Sequence, residues 1–69
     1  MYQGYIKWFN STAGYGFIVD ENNTDYFAHI SSFTDKSVIK FIKKLDGHAV
    51  TFDAIEFADK KRATNITLI

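Results

Sequence analysis

Apolar and polar residues alternate with a period of two along most of this chain, and the alternation falls into separate runs. Successive side chains of an extended strand point to opposite faces, so each run predicts a half-buried strand. The runs lie near residues 2–10, 15–20, 25–30, 48–57 and 62–69. Polar, turn-forming stretches separate them: Asn10-Ser-Thr12, Asp20-Glu-Asn-Asn-Thr24, Asp46-Gly47 and Asp59-Lys-Lys-Arg62. Short strands divided in this way predict an all-β barrel or sandwich.

The run Gly14-Tyr-Gly-Phe-Ile18 places Tyr15 and Phe17 on one face and Gly14, Gly16 and Ile18 on the other. In Asp25-Tyr-Phe-Ala-His-Ile30, Phe27 and His29 alternate with Tyr26, Ala28 and Ile30. Asn22 and Asn23 between the runs tolerate left-handed backbone angles, which predicts an antiparallel hairpin. Pairing then gathers Tyr15, Phe17, Phe27 and His29 on one sheet face. That face is either one wall of a core or a surface for a partner. A chain of 69 residues buries only roughly 60% of its unfolded surface and can hardly cover two apolar sheet faces, which favours the partner.

In the first run Trp8 and Phe9 are adjacent and both large, so alternation breaks there. A bend or bulge is expected, with one ring packed inward and the other joining the aromatic face beside Lys7. Further on, Ser31-Ser-Phe33 suits one helical turn with a serine hydroxyl capping free N–H groups. Val38, Phe41 or Ile42, and Leu45 then follow at helical spacing among lysines 36, 40, 43 and 44, the pattern of a short amphipathic helix.

Length allows one domain, residues 1–69. With no cysteine, neither disulfides nor a thiolate metal site can staple it. His29 and His48 are the only histidines, and no carboxylate pattern beside them suits a nucleophile, a metal or a cofactor. Gly14-Tyr-Gly matches no phosphate-binding loop. An enzyme is therefore not expected. The start of the chain shows no signal-peptide pattern and no window is apolar enough to span a membrane, so a monomeric, soluble, cytoplasmic protein is expected. Eight basic and eight acidic residues cancel, which argues against a partner held mainly by phosphate neutralisation. Aromatic content of 17% offers another source of affinity, since stacking is worth about 1–3 kcal/mol per base.

Taken in order, Gly4-Tyr-Ile-Lys-Trp-Phe-Asn10, Gly14-Tyr-Gly-Phe-Ile18 and Asp25-Tyr-Phe-Ala-His-Ile30 resemble the bacterial cold-shock protein family, in which the second and third segments are ribonucleoprotein motifs. Leu45-Asp-Gly-His-Ala-Val-Thr-Phe52 and Ala63-Thr-Asn-Ile66 are similar to its fourth and last strands, so the resemblance covers the whole chain. It implies a five-stranded antiparallel barrel of the oligonucleotide-binding type that binds single-stranded RNA or DNA. The implied contact residues are Lys7, Trp8, Tyr15, Phe17, Phe27 and His29, with Ile30 where the family has phenylalanine. Phe41 falls at the exposed aromatic of a loop longer than is usual; the same residue equally suits an anchor for a helical turn on the barrel. Ala13 stands where the family has a lysine, so one phosphate contact and one stacking contact are missing, and weaker binding is expected. The function implied is that of an RNA chaperone. A small barrel using the aromatic face for protein contacts is the alternative.

Overall fold

The computed structural model describes residues 1–37 and 45–69. Strands β1 (Tyr2–Asn10), β2 (Tyr15–Asp20), β3 (Asp25–His29), β4 (Ala49–Phe57) and β5 (Lys60–Leu68) close into a barrel in the order β1-β2-β3-β5-β4. Neighbours run antiparallel except at the closure, where β3 and β5 meet in parallel at Phe27 and Arg62. This is an all-β, oligonucleotide-binding type of barrel. The helical spacing between Val38 and Leu45, and Phe41 within it, fall on residues 38–44, outside the described residues.

Each strand sends one face inward. Ile6, Ile18, Tyr26, Ala28, Phe33, Leu45, Val50, Phe52, Ala63 and Ile66 form the buried core, with Phe9, Ala54 and Leu68 packed against it. The inward set of β2 and β3 is the one their alternation predicts: Ile18 pairs with Tyr26 and Gly16 with Ala28.

β1 departs from regular pairing after Ile6. Ile6 faces Ile18 and Trp8 faces Phe17, so Lys7 is the extra residue of a bulge. The bulge turns both Lys7 and Trp8 outward and returns Phe9 to the inside, where its ring meets Phe33 edge-on at 5.3 Å. Gly16 makes this possible. A Cβ there would collide with the Trp8 carbonyl oxygen and with the Phe9 Cα and ring. The Asp46 carboxylate accepts the Phe9 N–H at 3.2 Å, where β1 has moved beyond the strand pairing of β4.

Two local features differ from the sequence reading. The 3-10 turn Ile30–Ser32 is capped by His29, whose Nδ1 accepts the Ser31 N–H, and not by a serine hydroxyl. The cations 60–62 belong to β5 rather than to a reversal, because Ala58 and Asp59 alone make the turn. Both have positive φ, 51° and 65°, and Phe57 pairs directly with Lys60. A two-residue hairpin with both central residues left-handed matches the strand twist but suits Asn-Gly far better than alanine.

Asp20 is the one buried charged residue among those described. Its carboxylate accepts the Asn22 and Thr24 N–H groups at 2.9 Å and the Tyr26 hydroxyl at 3.0 Å, closing the β2–β3 connection around left-handed Asn23. The Thr24 amide above all, helped by Tyr26 and Asn22, holds Asp20 below the ordinary carboxylate range against the opposing effect of burial. Burial first, and then the bond to Asp20, pushes the Tyr26 hydroxyl up to about 12.

These contacts set how stability responds to pH. The folded state holds the Asp20 proton less tightly than the unfolded chain, so its contribution is present above about pH 4 and is lost as pH falls further. It holds the Tyr26 proton more tightly, so that contribution is present below about pH 10 and fades as pH rises toward 12. Urea midpoints measured against pH should show a plateau falling at both ends, and Tyr26→Phe should lower the plateau and flatten the alkaline fall. An unchanged alkaline limb would contradict the assignment. Ala58→Gly should raise the unfolding free energy by about 0.5–1 kcal/mol, the relief of left-handed strain less the entropy that glycine adds to the unfolded chain.

Candidate nucleic-acid interface

On the outer face of β1–β3 four rings form a connected platform. Tyr15 pairs with His29 and Phe17 with Phe27 across β2 and β3, and Trp8 lies opposite Phe17 across β1 and β2. Trp8 meets Tyr15 edge-on at 5.7 Å and leans on Phe17 at 5.5 Å; Phe27 stacks with Tyr15 at 6.0 Å and meets Phe17 edge-on at 5.8 Å. These are the separations at which aromatic pairs attract one another. Trp8 and Tyr15 keep 37% and 39% of their surface exposed, while Phe17, Phe27 and His29 are half-buried. The inner face at these positions holds buried Gly14, Gly16 and Ile18, so rings and core occupy opposite sides of one sheet.

Every described residue singled out from the sequence can be placed. Lys7, Trp8, Tyr15, Phe17, Phe27 and His29 come together. The two Nδ1 contacts to Ser31, 2.8 Å to Oγ and 3.1 Å to the amide, orient the His29 ring. Ile30 sits at the margin: it is half-buried at the head of the 3-10 turn, its amide bonded to the Gly14 carbonyl and its side chain lying over Gly14. Phe41 lies outside the described residues.

Lys7 does not stand free. Its Nζ is 3.4 Å from Asp25 Oδ2, an exposed pair worth about 0–1 kcal/mol that any incoming phosphate has to compete with. Other cations reach the platform from β5. The Arg62 guanidinium lies 5.8 Å from the centre of the Phe27 ring, close enough for a cation–π contact of about 0.5–1 kcal/mol at an exposed site. Lys60, Lys61 and Arg62 line a groove of about 890 Å³ shared with Phe17 and Phe27.

From the sequence the cations 60–62 read as a solvated turn that the family resemblance would bring near the binding face; the contact of Arg62 with Phe27 is not foreseen, because the parallel closure makes it and no local pattern announces that. Sequence reasoning also passes over Phe57, 80% exposed, although the alternation of Phe57 with Ile55 along β4 is visible in the sequence. Among the described residues no group of three His, Cys, Asp or Glu side chains is placed to hold a metal ion, and no helix is long and apolar enough to cross a membrane. The platform can offer flat apolar rings, a ring N–H and a cationic margin.

Comparison with known proteins agrees with this geometry. The family model described as the 'Cold-shock' DNA-binding domain matches residues 2–69. The major cold shock protein of Streptococcus pyogenes serotype M1 is 42% identical over 67 residues, covering 97% of this chain and 96% of that protein. Cold shock protein CspC of Bacillus subtilis (strain 168) is 40% identical over 67 residues, with 96% of each chain covered. A cold shock-like protein of Aquifex aeolicus (strain VF5) is 38% identical over 69 residues, covering 99% of this chain and 94% of the other. With the family model and these relatives spanning almost its full length, the chain belongs to the cold-shock domain family.

Proposed function

We propose that this protein binds single-stranded RNA or DNA by stacking bases on Trp8, Tyr15, Phe17 and Phe27, with His29 and Lys7 at the margin, and acts as a monomeric, cytoplasmic RNA chaperone. One observation carries the reading: four mutually packed rings remain accessible on the outside of a small barrel whose core lies on the other side of the same sheet. Packing against one another holds the rings in place before a ligand arrives, so little side-chain entropy is lost on binding. Each base has a π-face, so such a platform accepts bases with little regard to sequence. The relatives' cold-shock names support the same reading.

The mechanism needs no energy source. Strands released by thermal fraying are captured on the platform, and mass action then lowers the population of paired RNA. Arg62, Lys60 and Lys61 favour a nucleic-acid occupant over a second protein, because they set positive charge beside the rings. With Lys7 engaged by Asp25 and Ala13 carrying no charge, about two or three phosphates would be neutralised.

The test is the affinity of a labelled oligothymidine at several salt concentrations. Log affinity should fall against log salt with a slope of roughly −1.5 to −2, and Ala13→Lys should tighten binding and steepen the slope by up to about one unit. A wild-type slope near −5 would mean that charge dominates binding, and no binding at low salt would return the face to the protein-contact reading. A pair of variants separates platform from core. Phe17→Ala should weaken binding about fivefold to a hundredfold while the protein stays folded, whereas Phe52→Ala should lose about 3–5 kcal/mol of stability. Joint loss of fold and binding in Phe17→Ala would contradict the assignment.

A further inference from the structure

β1 pairs with β4 only from Ala49 to Phe52, and β3 reaches β5 only at Arg62. The far ends of β4 and β5, Asp53–Phe57 and Lys60–Thr64, therefore form a two-stranded ribbon beyond β1. Nothing described covers its outer side: Ile55 is 50% exposed and Phe57 80%. Large apolar groups so placed are usually functional or a liability.

Register decides what surrounds them. Ile55 faces Arg62 and Phe57 faces Lys60, so two apolar side chains and two cations share one face, while Glu56 faces Lys61 on the other. The apolar-and-cationic face lines the groove of about 890 Å³ together with Lys61 at its edge, and the lining continues through Asp25 to Phe17 and Phe27. That volume lies in the range of about 300–1,000 Å³ that takes small organic ligands, room enough for a nucleoside. Arg62 stands at the junction, over the Phe27 ring.

We infer that this groove is a second base-accepting site that extends the bound strand past the four-ring platform, with the next base lodged against Phe57 and Ile55 and its phosphates met by Lys60 and Arg62. The inference rests on the single-strand reading of the platform and adds to it a position, a direction and a longer footprint. Two observations select a nucleic-acid strand as the occupant. The groove shares Phe17 and Phe27 with the platform, so a strand leaving Phe27 enters it without a break. Its β4–β5 side also sets one ring, Phe57, beside two cations, Lys60 and Arg62, the combination that a base and its phosphate require.

The experiment measures binding of oligothymidines from about four to about ten nucleotides long by wild type, Phe57→Ala, Phe57→Tyr and Lys60→Ala. Because Phe57 is largely exposed, its replacement leaves the core untouched, and urea midpoints verify that. Wild-type affinity should keep rising after the platform is filled. Phe57→Ala should forfeit that rise, with a loss on the longest oligomer of about fivefold to a hundredfold that shrinks as the oligomer shortens, and Phe57→Tyr should restore it. Lys60→Ala should lower the salt slope for the long oligomer by about 0.7. Identical binding by wild type and Phe57→Ala at every length overturns the inference and leaves the platform standing. A loss of the same size at every length also overturns it, since Phe57 would then serve the platform itself. No binding of any length by the wild type overturns both.

Discussion

Phe9 lies against Gly16 where β1 passes over β2, and the disposition of the exposed face depends on that contact. With a side chain at residue 16, Phe9 has no room to turn inward and the strands cannot approach. The Lys7 bulge shifts alternation by one residue at the same place, so Trp8 lands outside next to Phe17 and Tyr15. Glycine on the inner face and rings on the outer face are thus two sides of one constraint. A thin barrel has too little volume to bury aromatic side chains on both faces of the same strand, and it places them where they remain available.

On the proposed reading, affinity on such a surface would come from area and preorganisation more than from charge. The chain is neutral as a whole, and near the platform Asp25 holds Lys7 while Arg62 rests on Phe27. If bases stack on these rings as proposed, strands would be taken up without the strong counterion effect of a basic patch, and uptake and release would vary little with ionic strength.

Strand positions were legible because each strand has one buried and one exposed face, which leaves a period of two in the residues. The ring cluster was legible for the same reason: Tyr15, Phe17, Phe27 and His29 are set by alternation within one hairpin, and the Trp8-Phe9 pair signalled the bulge. What stayed hidden involves contacts between distant segments or turns without their usual residues. Arg62 reaches Phe27 through the parallel closure of β5 on β3, a pairing across half the chain. Ala58-Asp59 turns a hairpin with neither glycine nor asparagine, so the cations after it looked like loop rather than strand. Asp20 read as a polar turn residue, and only the fold shows it buried and bonded to Tyr26. His29 read purely as a face residue, yet it also caps the 3-10 turn.

The central claim is that bases, not phosphates, carry recognition on the platform. Trp8 is the single tryptophan and sits within it, so its fluorescence reports occupancy directly. The decisive measurement titrates the protein at moderate salt with an oligothymidine and, separately, with an abasic deoxyribose-phosphate chain of equal length. The account predicts saturable quenching of Trp8 by the oligothymidine and little response to the abasic chain. Equal affinity for the two would contradict it.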